Sequence, residues 1–334
     1  MVRSGPVPGA CVVTGAAGFI GSRLCARLLD DGWSVRGLDC LTDFTPVGDK
    51  LDRPARSARR GDGFSFAPLD LARAPIDDEV RGADVVFHLA GQAGVRDSFG
   101  AGSLAHIERN IRATQRLAEA IARRGGGRLV MASSSSVYGD ADVQPVSEDA
   151  RPRPGSPYAV TKLAAEGLTR SLVPDSVVLR YFTVYGPGQR PDMAFQRFAA
   201  AALAGLPAPL HGDGSHVRDF TFVDDVVDAT VAAADRGEGL YNVGGGSPAS
   251  LNDALRHIGE IVGAPVPLVP QSTARGHVRS TWADTTRARR DLGWMPRVGL
   301  REGLELQIAA LRAPSPSPAA AAGADPRRGA LLPP

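Results

Sequence analysis

The chain has 334 residues, 43% of them hydrophobic, enough to build a large α/β domain and a second lobe. Its 38 basic residues nearly balance 36 acidic ones, and a net charge of +2 implies neither nucleic acid nor another polyelectrolyte as a partner. No apolar run of about 18 residues marks a membrane span, the first nine residues lack the apolar core of a signal peptide, and the sparse cysteines Cys11, Cys25 and Cys40 fit a reducing cytoplasm.

Ala10 to Thr14 reads as a short buried strand, Gly15-Ala-Ala-Gly18-Phe-Ile-Gly21 as a glycine turn, and Ser22 to Asp30 as a helix. Cys11 in the strand and Cys25 in the helix read as small buried side chains. Strand, glycine turn and helix in that order suit a dinucleotide. The glycines tighten the turn and admit a pyrophosphate against the backbone, and the helix N-terminus offers free N–H groups. The spacing is G-x-x-G-x-x-G, not the commoner G-x-G-x-x-G. The next strand, Ser34 to Leu38, ends at Asp39, about 20 positions after the glycines. A carboxylate there holds ribose hydroxyls and repels a 2′-phosphate, so the expected cofactor is NAD rather than NADP.

Asp43 to Arg60 is polar and reads as a loop or short helix. The strand beginning at Phe64 closes on Asp70 and Leu71, with the acid placed to meet an adenine. Ala83 to Ala90 is a strongly apolar strand that contains His88. That residue reads as a hydrogen-bonded core histidine, because no partners at metal-ligand spacing accompany it, and no metal is expected. A helix from about Leu104 to Arg124 carries Asn110. Arg128 to Ala132 is the next strand, and it runs into Ser133-Ser-Ser-Ser136-Val-Tyr-Gly139. This alternation predicts an α/β fold with a Rossmann-type, doubly wound parallel sheet. The glycine turn, Asp39, Asp70, Ala90 and the serine run all fall at the carboxyl ends of strands, where such sheets bind ligands.

A proline-rich loop leads into the helix that bears Tyr158 and Lys162. Four residues apart, their side chains share one helix face. A neighbouring ammonium lowers the pKa of a phenol and makes it a usable general base. Ser176 to Phe182 is a further strand, and Thr183 to Ala194 leaves it as a loop. Beyond that the pattern loosens. Ala194 to Gly205 is helical, Pro207 to Leu210 a short strand and His211 to Gly214 a turn. Arg218 to Asp225 leads into a helix through Asp235, Leu240 to Gly244 is a strand and Asn252 to Val262 a helix. Residues 8–185 are expected to form mainly an NAD-binding domain. Residues 186–312 are expected to form a smaller mixed α/β substrate-binding lobe, with some strand exchange between the two. The Ala/Pro-rich stretch 313–334 is expected to be a disordered tail.

Taken together, Gly15-Ala-Ala-Gly-Phe-Ile-Gly21, His88-Leu-Ala90, Ser-Ser-Ser-Val-Tyr-Gly139, Tyr158-x-x-x-Lys162 and Arg218-Asp-Phe-Thr-Phe-Val-Asp-Asp225 resemble the extended short-chain dehydrogenase/reductases that act on nucleotide sugars. Within that group, Gln92-Ala-Gly-Val-Arg96 and the long run from Arg180 to Ala194 look most like UDP-glucuronate 4-epimerases. The resemblance implies cofactor contacts from Gly15, Gly18, Phe19, Ile20, Gly21, Asp39, Asp70, Leu71, Leu89, Ala90, Gln92, Asn110 and Tyr181, together with Tyr158 and Lys162. It implies Ser134, Tyr158 and Lys162 as the catalytic set. Ser134 bonds the reacting sugar oxygen and relays its proton to Tyr158, and Lys162 also holds the nicotinamide ribose.

The related dehydratases carry Asp-Glu at the two positions after that hydroxyl, and the related decarboxylases carry a Glu just before the Val. Here stand Ser135 and Ser136, neither of which is a carboxylate base. The expected reaction is oxidation at C4, rotation of the 4-keto sugar and return of the hydride to the opposite face. A 4-keto glucuronate is a β-keto acid that loses CO₂ readily, so its carboxylate must be held out of alignment. The resemblance assigns this to Ser135, Ser136, Thr183 and Arg190, with Arg190 as a two-pronged donor. Epimerases of neutral UDP-sugars typically carry Asn where Thr183 stands. Met193 joins the substrate set, Arg218 and Arg275 are the diphosphate candidates, and Pro209 and His211 lie near the uracil by analogy. His277 departs from the Gly-Asp-Val that relatives carry after the Arg275 position. The expected protein is a cytoplasmic, NAD-retaining UDP-glucuronate 4-epimerase. It is expected to dimerise through a helix pair that includes the Tyr158 helix. The alternatives are a UDP-glucose 4-epimerase and a UDP-glucuronate decarboxylase.

Overall fold

A computed structural model describes residues 9–42, 47–272 and 278–313. Arg275, His277 and the expected tail from 314 onward lie outside them. The first half of the chain runs β1 (Ala10–Thr14), α1 (Phe19–Asp30), β2 (Ser34–Asp39), α2 (Val47–Ala58), β3 (Phe64–Pro68), α3 (Asp77–Val80), β4 (Val85–His88), α4 (Ser103–His106), α5 (Ala113–Arg123), β5 (Arg128–Ser134), α6 (Pro157–Leu172) and β6 (Ser176–Tyr181). The second half runs β7 (Thr183–Tyr185), α7 (Ala194–Ala204), β8 (Ala208–His211), β9 (Val217–Arg218), β10 (Phe220–Phe222), α8 (Val223–Ala232), β11 (Gly239–Val243), β12 (Ala249–Ser250), α9 (Leu251–Val262), β13 (Leu268–Gln271), α10 (Thr286–Leu292) and α11 (Leu300–Arg312).

Seven parallel strands form the central sheet in the order β3-β2-β1-β4-β5-β6-β11. This is the expected doubly wound sheet. Its strands are apolar on both faces because helices cover both. On one side Leu24, Cys25 and Leu28 of α1 and Val226 of α8 pack with Cys11, Val13, Val130 and Val177. On the other, Leu117 and Ile121 of α5 pack with Val12, Leu38, Val86 and Leu129. Cys11 and Cys25 are buried here, and burial pushes both thiols up, that of Cys11 to about 12. The strand order reverses between β1 and β4, which opens a crevice at their carboxyl ends.

The second half builds its own core around Tyr185, Phe195, Phe198, Phe222, Ile258, Leu304 and Ile308. It also returns to the main sheet, where β11 pairs with β6 and α8 packs on α1. α11 alternates buried Leu304 and Ile308 with exposed Glu302 and Glu305, and so sits as a half-buried helix. A Cβ at its Gly303 would stand 2.2 Å from Tyr185 Oη, so only glycine lets the helix approach. Among the described residues no helix is long and apolar enough to cross a membrane.

Three local expectations are corrected. The segment after β6 is not a plain loop, because Thr183 to Tyr185 forms β7, parallel to β10. Its partner lies 37 residues away, and no local pattern announces it. The helix from Leu104 to Arg124 is broken in character: a π-helical turn, Ile107–Arg112, joins α4 to α5 and carries Asn110. The helix expected through Asp235 stops at Ala232.

Candidate active site

A cleft of about 670 Å³ opens over the carboxyl ends of β1, β2, β4 and β5. Its floor is the glycine turn. Gly15 takes φ +72°, and a Cβ there would meet the backbone of Leu89 and Ala90 at 2.8–3.0 Å. A Cβ on Gly21 would stand 2.1 Å from the Gly15 carbonyl. Both positions therefore exclude a side chain, and backbone is brought to the cleft surface. α1 begins here with Gly18 as its N-cap and no side-chain cap, which leaves its first N–H groups for a ligand. Asp39 lies across the turn, its carboxylate accepting from Ala17 N–H at 3.1 Å and Leu41 N–H at 2.8 Å. Phe19, Ile20, Asp70, Leu71, Leu89, Ala90 and Gln92 complete this wall. Glycines, a helix N-terminus and a carboxylate about 20 residues on fit the adenosine diphosphate half of a dinucleotide.

The other end of the cleft holds the expected reacting groups. Side chains alternate along β5, so the Ser133 hydroxyl turns to buried Glu166 while Ser134 faces the cleft. The Ser134 hydroxyl donates to Ser136 Oγ at 3.0 Å and reaches the Tyr158 phenol. Tyr158 is half-buried, with the His106 ring edge-on to it, centroids 6.0 Å apart. Burial pushes the phenol above its ordinary pKa, while the Ser134 hydrogen bond and the Arg190 charge pull it down. This corrects one expectation, because Lys162 is not what lowers the phenol. The Lys162 ammonium donates to the Ala132 carbonyl at 3.0 Å. Burial brings its own pKa down to about 8, against the attraction of Glu166. Tyr181 also lines the cleft, but its hydroxyl turns away to Thr230 Oγ1 at 2.7 Å, leaving only the ring to meet a ligand.

Asn110 is a second correction. It does not line the cleft. Its Oδ1 accepts from Gln92 N–H at 2.7 Å, and its Nδ2 donates to the Gln92 carbonyl at 3.0 Å and to Thr161 Oγ1 at 2.9 Å. Both amide donors and one of the two lone pairs of Oδ1 are engaged, so Asn110 pins the Gln92 backbone to α6. His88 is the satisfied core histidine expected, set between Thr14 Oγ1 at 2.8 Å and Thr114 Oγ1 at 2.9 Å. Burial and the Lys162 charge lower it to about 3, which keeps it neutral.

Ser135, Ser136, Thr183, Arg190 and Met193 line the same cleft as Tyr158. Arg190 already closes its fork on Asp192, Nε to Oδ1 and Nη2 to Oδ2, both at 2.9 Å. His211 and Arg218 line the far end of the cleft, but Arg218 donates to the carbonyls of Val217, Val278 and Arg279, at 2.7, 2.5 and 3.3 Å. Its guanidinium meets a phosphate only alongside those carbonyls. Pro209 is a third correction. It pairs within the β8–β13 ribbon outside the cleft, and its carbonyl accepts from Arg197 at 3.1 Å. Sequence reading missed Arg197 and Lys50, both of which line the cleft. The signal for Arg197 was its place one turn after Met193 on a helix that begins at the cleft. Lys50 had only its nearness to Asp39, which the intervening residues hid.

A model of the "NAD dependent epimerase/dehydratase family" matches residues 11–244. An uncharacterised UDP-glucose epimerase of Bacillus subtilis is 40% identical over 309 residues, which are 90% of this chain and 97% of that protein. A UDP-glucuronate 4-epimerase of Thermodesulfobacterium geofontis is 36% identical over 307 residues, 89% of this chain and 94% of that protein. A crystal structure of UDP-glucuronic acid 4-epimerase from Bacillus cereus, in complex with UDP-glucuronic acid and NAD, superimposes with a TM-score of 0.86 at 38% identity, covering 90% of this chain and 98% of that one. The glycine turn, the Tyr158–Lys162 helix and the parallel sheet thus belong to a member of the NAD dependent epimerase/dehydratase family.

Proposed function

We propose that this chain is an NAD-dependent 4-epimerase of a UDP-sugar and that it interconverts UDP-glucuronate and UDP-galacturonate. The observation that carries the reading is the pairing of Ser134 with Tyr158 in a wall where the next two residues are Ser135 and Ser136. That wall can remove and return a hydroxyl proton, but it holds no carboxylate to abstract one from carbon. NAD, when bound, accepts a hydride from the sugar and gives it back.

Tyr158 takes the 4-hydroxyl proton by way of Ser134 and later returns it. Lys162 sets the charge beneath them. Thr183 and Arg190 face the sugar carboxylate, and Ser135 and Ser136 fix it out of line with the carbonyl so that CO₂ stays bound. Arg218 and Arg197 meet the diphosphate, and Arg275 remains a further candidate. Because the reaction has no net redox change, the cofactor stays in place between turnovers. A second reading is epimerisation of a neutral UDP-hexose. It is favoured by the Arg190–Asp192 pair, which presents little net charge to a carboxylate.

Incubating the purified protein with UDP-glucuronate and resolving the products tests both readings. UDP-galacturonate is the expected product. UDP-xylose with CO₂ would overturn the reading in favour of decarboxylation, and conversion of UDP-glucose alone would establish the second reading.

The proposed assembly is a cytoplasmic homodimer formed through α6 and the α4 and π-turn segment packed beside it. There Val160, Ile107 and Leu104 are 50%, 45% and 70% exposed, more than isolated apolar side chains need be. Val160→Glu is expected to halve the mass seen by light scattering, and an unchanged mass would rule this face out.

A further inference from the structure

α6 carries a third polar group on the Tyr158–Lys162 face. Glu166 follows Lys162 by one helical turn, as Lys162 follows Tyr158, and only 3% of it is exposed. Its Oε1 accepts from Ser133 Oγ and from Arg180 Nε at 2.9 Å, and its Oε2 accepts from Arg180 Nη2 at 2.6 Å. Arg180 is 2% exposed, sits opposite Ser133 in the β5–β6 register, and lies 4.7 Å over the Tyr138 ring. Three successive groups on α6 thus meet three successive residues at the end of β5. Tyr158 meets Ser134, Lys162 meets Ala132 and Glu166 meets Ser133.

We propose that Glu166 is a positioning residue for the reacting pair: it locks α6 against the end of β5 and supplies the counter-charge that keeps Lys162 an ammonium. The inference rests on the reading of Tyr158 and Lys162 as that pair. The register follows from the ladder, since a shift of α6 along β5 that broke the Ser133 contact would also separate Tyr158 from Ser134.

The charge argument follows from what surrounds Lys162. On α6 stand Tyr158 and Glu166. β6 brings Arg180 and Tyr181, and β4 brings His88, which is neutral. β5 offers only Ala132, Ser133 and Ser134, and the π turn offers the uncharged Asn110. Among the described residues Glu166 is therefore the one carboxylate in the set. Its attraction raises the Lys162 pKa against burial, so its loss moves that pKa downward from about 8. Arg180, itself a cation paired with Glu166, cannot replace it.

The test is the pH profile of turnover in three variants. Glu166→Gln should move the alkaline limb down by about one pH unit, because one neighbouring charge is removed. It leaves Arg180 buried without its partner, so the same measurement is made on Glu166→Gln combined with Arg180→Met, which removes both ends of the pair. Glu166→Asp keeps the charge but falls short of Ser133. Its alkaline limb should stay in place while kcat falls at least several-fold. An unmoved limb in a folded Gln variant, or an unchanged kcat in Glu166→Asp, overturns the inference. Tyr158→Phe run alongside separates the two claims, since its full activity would instead overturn the underlying reading of the pair.

Discussion

Tyr158→Phe is expected to lower turnover by about 10²- to 10⁴-fold, the range that a lost general acid–base group costs. The chain should still fold and retain NAD. The phenol oxygen makes no contact that holds the fold together, and the ring keeps its edge-on packing against His106. What disappears is the group that Ser134 reaches and that Arg190 biases toward the phenolate. Burial opposes ionisation in the free protein, so the phenolate gains ground only as positive charge accumulates in the cleft. For that reason turnover should also fall toward acid pH, as the phenol regains its proton. Rates with UDP-sugar, and the cofactor absorbance of the purified variant, check both halves of this result. Wild-type rates would mean that another group carries the proton.

The second large effect concerns the sugar carboxylate. Arg190→Ala should reduce kcat/KM for UDP-glucuronate by about 10- to 100-fold, the loss expected of hydrogen bonds to a charged group. A neutral UDP-hexose should be affected less, losing only the bias that Arg190 gives Tyr158. Asp192 sharpens this test. It holds both prongs of Arg190 at 2.9 Å and is itself half-exposed, so a substrate carboxylate has to compete with it. Asp192→Asn removes the competing charge and one acceptor, and should lower KM for the acid sugar while leaving the neutral sugar unchanged. Equal losses on both sugars in Arg190→Ala would show that Arg190 does not read the carboxylate. No change in Asp192→Asn would show that the pair opens without cost.

Much of the site was legible because its parts are local. Gly15, Gly18 and Gly21 are close enough in sequence to define one turn, and Gly15 and Gly21 fill places where a Cβ would strike backbone. Tyr158 and Lys162 share a helix face by spacing alone. The residues misassigned are those whose partners are distant. Asn110 looked placed for a ligand, but it lies outside the cleft lining and three of its hydrogen bonds go to Gln92 and Thr161. Thr183 looked like loop, but it lies in a strand completed by Phe220.

The sequence by itself determined the alternation of strands and helices, the glycine turn with its acidic partner at Asp39, and the types of residue gathered at the strand ends. These follow from periodicity and backbone sterics within a few residues. Only the tertiary structure decided which serine of the run faces Tyr158, since alternation along β5 sends Ser133 to Glu166 and Ser134 into the cleft. It also decided that Arg190 arrives already paired with Asp192, and that burial, more than Lys162, governs the phenol. Those outcomes depend on desolvation and on contacts between residues far apart in the chain, which no local pattern contains.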